Sequence, residues 1–156
     1  IDYDVDDNLT NIGETEIKGL EAALNYQTPW NLDLGLGYTY LSATDKADDV
    51  RPELDAERIP EHKFFADARY FFDFGLTATC QAVYTSEQIE YDRDFNPRDI
   101  DEFWVVNAKL NQDITLFEKL STAVFLEVSN LFDEDYEEGS GPYPGRTFLL
   151  GAQLSF

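Results

Sequence analysis

Methionine is absent from this chain of 156 residues, cysteine and histidine occur once each, and basic side chains are scarce. Each shortage closes off a class of function. The single cysteine, Cys80, excludes an internal disulfide framework and a zinc site built on thiolates. The single histidine, His62, sits between Glu61 and Lys63 and leaves little from which to build a nucleophile–histidine pair. Against 32 Asp and Glu there are only 11 Lys and Arg, for a formal net charge of -21. A protein that held nucleic acid by bulk charge is thereby excluded, because phosphates would be repelled. No apolar run reaches the roughly 18 residues of a membrane-spanning helix. The missing methionine and the opening Ile1-Asp2-Tyr3, without a charged-then-apolar leader, are what a processed protein or a fragment would show.

What is present is alternation of period two, the signature of strands. Seven segments carry it: Leu20–Tyr26, Leu32–Tyr40, Phe64–Tyr70, Leu76–Tyr84, Trp104–Leu110, Leu120–Val128 and Phe148–Phe156. Along all seven, the even-numbered residues are apolar, with Thr122 the sole exception. The interleaved residues are mostly polar or glycine; the apolar ones are Ala23, Phe65, Val83, Val105, Ala123, Phe125 and Leu149. The expected fold is therefore all-β: an antiparallel up-and-down meander of seven or eight strands with one oily and one wet face. A partial eighth strand is expected at Ile1–Val5.

A soluble barrel or sandwich would turn its oily face inward. Two features favour the inverted arrangement. On the oily face, aromatic residues (Tyr26, Tyr38, Tyr40, Tyr70, Tyr84, Trp104, Phe148, Phe156) stand near segment ends, and Leu, Ala and Val fill the middles. Rings at both rims with aliphatics between them form the girdles of a membrane β-barrel. The connections also alternate in length. Short turns are expected at Gln27–Asn31, Phe71–Gly75 and Asp113–Leu116, and long polar loops at Leu41–Lys63, Thr85–Phe103 and Ser129–Thr147. In a meander, all long loops then share one side, as in outer-membrane barrels. The alternatives are a complete eight-stranded outer-membrane barrel with a structural or adhesive role and a soluble lipocalin-like carrier with its oily face inside.

The last quarter reads Asn130-Leu131-Phe132-Asp133-Glu134-Asp135-Tyr136, then Gly145-Arg146-Thr147-Phe148, and a final strand to Phe156. This resembles the C-terminal end of TonB-dependent outer-membrane receptors, in which an "NLFDxxY" loop, a "PGR" segment and a terminal aromatic strand recur. Asn11-Ile12-Gly13, Gly19-Leu20-Glu21 and Ile59-Pro60-Glu61 are similar to earlier strand openings of that family. The resemblance implies a barrel of about 22 strands around a plug domain. It implies uptake of a scarce nutrient, such as a ferric siderophore, energised through TonB from the bacterial outer membrane. With room for about eight strands, residues 1–156 are expected to be the C-terminal portion of such a barrel, without plug or TonB box. No enzyme activity and no cofactor are implied. The partners would be outer-membrane lipid, TonB, the plug and the small-molecule ligand.

Site candidates come from the long loops. Arg93, Arg98 and Arg146 are cations that could meet an anionic ligand, and Tyr136 and Tyr143 are rings that could stack on a flat one; packing of the loop on itself is the competing reading. Asp92-Arg93-Asp94-Phe95-Asn96 begins like a calcium-binding EF-hand loop, but Pro97 stands where glycine is needed and Phe103 where glutamate is needed. A looser divalent-cation site from Asp92, Asp94, Asp99 and Asp101 stays open beside the plainer reading of a solvated acidic loop. Clusters at Asp45/Asp48/Asp49 and Asp133/Glu134/Asp135/Glu137/Glu138 invite the same two readings. On the wet face, Glu21, Asp33, Asp67, Arg69, Lys109 and Glu127 would line a lumen. Cys80 in mid-strand is expected to act as a small hydrophobe, and His62 to be exposed at a loop edge.

Overall fold

The computed structural model describes residues 2–3, 9–10, 14–46, 53–92, 94–117, 120–138 and 141–155. Among them every regular element is a strand. In chain order these are β1 (Asp2–Tyr3), β2 (Leu9–Thr10), β3 (Thr15–Gln27), β4 (Leu32–Asp45), β5 (Leu54–Asp55), β6 (His62–Phe71), β7 (Leu76–Thr85), β8 (Gln88–Tyr91), β9 (Pro97–Ile100), β10 (Phe103–Phe117), β11 (Leu120–Ser129), β12 (Glu137–Glu138), β13 (Gly141–Pro142) and β14 (Thr147–Ser155). The seven long strands are the seven alternating segments. They form one antiparallel sheet in the order β14-β11-β10-β7-β6-β4-β3, with β5 paired to β4 beside this path. Each long strand thus pairs with the next one in sequence, as a meander requires.

The ends of the sheet, β3 and β14, do not pair with each other, so the sheet is open among the described residues. That sets aside the complete eight-stranded barrel. The expected eighth strand does not join the sheet either. Asp2–Tyr3 pairs only with Leu9–Thr10; Ile1, Asp4 and Val5 lie outside the described residues, as do Asn11-Ile12-Gly13 and the terminal Phe156. The turn expected at Asp113–Leu116 is strand instead. Asp113, Ile114 and Thr115 pair with Ala123, Thr122 and Ser121. The polar Gln112 on the oily face had broken the alternation there, although the ladder runs on.

Two short connections share one backbone design. Thr28 N donates to Leu32 O at 2.9 Å, and Phe72 N donates to Leu76 O at 2.8 Å. The fourth residue of each turn is left-handed: Asn31 at φ 58 and Gly75 at φ 87. Asn and Gly are the residues that enter this region at least cost, so hairpin geometry is written into the sequence at both places.

Direct cross-strand pairing aligns the oily face in rows. Tyr38, Phe64, Tyr84 and Trp104 stand opposite one another across β4, β6, β7 and β10. Their ring centroids are 4.6, 5.8 and 4.8 Å apart in that order. Below this belt come Leu36, Ala66, Ala82 and Val106, then Leu34, Ala68, Cys80, Ala108 and Val128. At the short-turn end Tyr70, Phe72 and Phe74 cluster again. Nothing among the described residues covers this face. Leu36 is 56% exposed and Leu150 72%, and the few buried apolar side chains (Ala56, Ile100, Phe103, Val105) belong to the other face or the loops. A soluble carrier with an oily interior is excluded by that distribution. His62 stands at the loop edge as expected but is not fully exposed. It opens β6, half-buried, with Nδ1 3.0 Å from the Tyr38 hydroxyl.

On the wet face Lys109 Nζ lies 3.3 Å from Glu127 Oε2 and 4.7 Å over the Phe125 ring. That ring lies across Gly151, directly opposite in the ladder, where an added Cβ would overlap it. At Gly37 a Cβ would meet only Phe65, at an ordinary 3.6 Å. Gly151→Val is therefore expected to cost about 1–3 kcal/mol through displaced packing, and Gly37→Ala to cost well under ~1 kcal/mol. Urea unfolding midpoints of the intact membrane protein check this; equal losses at both sites would refute it.

Candidate functional site

The long connections fold over one end of the wet face. At that end the wet-face residues Thr85, Phe103 and Val105 are at most 9% exposed. Two of the three loops carry hairpins of their own, β8–β9 and β12–β13. Neither was expected from the alternation, although Gln88-Ile89-Glu90-Tyr91 does alternate over its four residues. Tyr136 stacks on Phe103 with centroids 4.4 Å apart, and Tyr143 stacks on Tyr136 at 5.2 Å. Burial raises the Tyr136 phenol above its ordinary pKa, with the Glu138 charge adding to it.

Ion pairs join the loops to one another. Arg58, just before β6, places Nη2 2.5 Å from Glu90 Oε1 on β8. Arg98 on β9 reaches the other oxygen, Glu90 Oε2, at 3.0 Å, and Glu137 Oε2 on β12 at 2.7 Å. Lys63, on the wet face of β6, lies 3.4 Å from Glu138 Oε1. Backbone groups add to the join: Arg58 N donates to Ile89 O at 2.9 Å, and Tyr91 N donates to Glu57 Oε1 at 3.0 Å. The Arg58 guanidinium first, then Arg98, holds the Glu90 carboxyl below its usual pKa. Glu90 therefore stabilises the loops above the ordinary carboxylate range and loses that contribution as pH falls through its depressed pKa.

Of the residues expected to face a ligand, Arg98, Tyr136, Tyr143 and Arg146 have partners within the loops or on the wall. Arg98 is held between two glutamates. Arg146 donates through Nη1 to Leu131 O at 3.2 Å, and its backbone N donates to Asp133 Oδ1 at 2.7 Å. Tyr136 is packed between two rings, whereas Tyr143 is 51% exposed. Arg93 lies outside the described residues, as do Asp48 and Asp49. The Asp92 segment forms a hairpin turn. Asp92 Oδ1 accepts from Asp94 N and Asn96 N, both at 2.9 Å, and these bonds with the Asn96 side chain lower its pKa. Asp99 is on β9, and Asp101 lies between β9 and β10. No group of three or more His, Cys, Asp or Glu side chains with the spacing of a metal site occurs among the described residues.

The block Asn130–Arg146 is legible as architecture. Asn130 is 3% exposed and left-handed at φ 52. Its Nδ2 donates to Glu134 O at 2.8 Å, its Oδ1 accepts from Glu134 N at 2.9 Å, and its own N donates to Asn107 Oδ1 at 2.9 Å. Asp133 then receives the backbone beside Gly145, where a Cβ would crowd the carboxylate at 2.8 Å. These residues fold the loop back over the wet face.

One feature of that face lay hidden in the sequence. Ala23, Gly37, Phe65, Val83 and Val105 are direct neighbours across five strands. They make an apolar shelf on an otherwise polar wall, beneath the loop that carries Glu138. Part of it, with Glu21 and Lys63 at its border, lines a depression of ≈ 450 Å³. Only the register, not the periodicity, brings these interruptions into line.

Comparisons with known proteins agree with this architecture. The chain is similar to the ferric-catecholate import receptor Fiu from E. coli K12, with 25% identity over 98% of this chain and 22% of that one, at a TM-score of 0.68. It is similar in fold to the ferric citrate transporter FecA (21% identity, 99% of this chain and 26% of that one, TM-score 0.75). The FrpB iron transporter from Neisseria meningitidis shares the fold too (19% identity, 90% and 23%, TM-score 0.71). The chain spans about a quarter or less of the length of these structures. They are transporters and receptors, not enzymes, and this β-sheet is likewise a piece of outer-membrane barrel wall. Residues 1–131 match the family model "TonB dependent receptor-like, beta-barrel", and the chain belongs to that family.

Proposed function

We propose that residues 1–156 are the C-terminal portion of the barrel of an outer-membrane importer, with a plug domain carried elsewhere in the longer protein. The ligand is a scarce nutrient such as a ferric siderophore, and uptake draws its energy through TonB. The observation that carries this reading is the one-sided covering of the sheet: loops close over the polar face at one end, and the apolar face stays bare for lipid. A channel wall needs both. In the mechanism, ligand arrives at the outer loops, where Tyr143 presents an exposed ring. It then passes the shelf around Phe65 on its way through the barrel. Arg98 and Arg146 bring positive charge to the same end. Arg98 and Arg146 are already engaged by carboxylates, so an anionic ligand must compete with Glu90, Glu137 and Asp133 for them.

The test is uptake. Iron-starved cells that lack other iron receptors, given the full gene, are expected to accumulate radiolabelled iron from one or more ferric siderophores, and to stop when TonB is removed. No uptake from any of a panel of catecholate, hydroxamate and carboxylate siderophores would overturn the iron reading.

A further inference from the structure

We propose that the three loops are fused into a single lid by the relay Arg58–Glu90–Arg98–Glu137, so that they open together and not one at a time. Glu90 is the keystone. Both of its oxygens are engaged, Oε1 by Arg58 and Oε2 by Arg98 through Nη2 at 3.0 Å and Nε at 3.2 Å. Arg98 in turn spans to Glu137 on the third loop at 2.7 Å. Isolated surface ion pairs contribute little, but a connected set gains because each ordered side chain serves two partners. The lid is also fastened to the wall. Lys63 holds Glu138 at 3.4 Å, and Phe103 stacks under Tyr136. Lys63 and Phe103 both pair with Thr85, so the two fastenings lie in one row across β6, β7 and β10. That row is next to the shelf around Phe65. A lid built this way couples distant loop segments: a disturbance at Glu90 reaches the residues before β6 and the β12–β13 hairpin alike.

The inference rests on the uptake reading for what passes beneath the lid, not for the lid itself. It is tested by hydrogen exchange of the intact membrane protein without ligand, comparing Glu90→Gln with the exposed control Glu87→Gln. Glu90→Gln is expected to speed exchange about tenfold at residues 54–58, 88–100 and 130–138 together, with the turn at 28–32 unchanged and the control silent. Acceleration in fewer than all three segments, or in none, overturns the proposal. A second arm needs no substitution. About 1 M NaCl, where the Debye length is ~3 Å, is expected to loosen the same three segments in the unmodified protein; if the substituted barrel fails to assemble, this arm decides alone. A lid that opens as one body in a protein that imports no iron would refute the uptake reading and leave the relay standing.

Discussion

Cys80→Arg is expected to destabilise the intact membrane protein by about 2–4 kcal/mol, the cost of a cation on the lipid face near the middle of the bilayer. Gln81→Arg, one residue along the same strand, is expected to cost less than ~1 kcal/mol. Both residues lie in the middle of β7. Cys80 stands in a row with Ala68 and Ala108 on the bare face, whereas Gln81 stands opposite Asp67 and Asn107 on the polar one. An arginine at 81 would meet water and the Asp67 carboxylate. Denaturant unfolding in lipid vesicles measures both. Equal penalties, or the larger one at Gln81, would mean that the faces have been assigned the wrong way round.

Asn130→Ala is the second large effect. The side chain is buried and makes both bonds that close its own loop. Removing it leaves Glu134 N and O to find new partners, at about 1–3 kcal/mol. Alanine also fits poorly at φ 52, which adds about 1–2 kcal/mol. The sum expected for Asn130→Ala is about 2–5 kcal/mol, and Asn130→Gly, which tolerates the backbone, should lose about 1 kcal/mol less. Urea unfolding separates the two contributions. If Ala and Gly behave alike, the left-handed backbone at 130 contributes nothing. If neither destabilises, the loop is not held by this side chain.

These two sites mark what a reader of the bare sequence can and cannot see. The alternation through Leu76, Ala78, Cys80, Ala82 and Tyr84 assigns the strand and its faces, because period two is a local property. The turns at Asn31 and Gly75 are legible for the same reason. Asn130, Asp133 and Arg146 are visible as a motif, but the motif does not disclose how they close a loop. The relay was out of reach altogether. Arg58 and Glu90 are 32 positions apart, and Arg98 and Glu137 are 39 apart; no spacing rule joins them. The acidic loops then read as solvated surface, whereas Glu90 and Glu137 are structural anions. The shelf was half visible: its members appeared as flaws in the polar face, and only strand pairing shows that the flaws are adjacent.

The nearest-neighbour order of the sheet also bears on how it is made. Each long strand finds its partner in the strand just before or after it, so hairpins can form one by one like the teeth of a zipper, each closing only a short stretch of chain. The outer edges of β3 and β14 present the same rows of donors and acceptors as any internal strand, so either edge can template the next strand without a new kind of interaction.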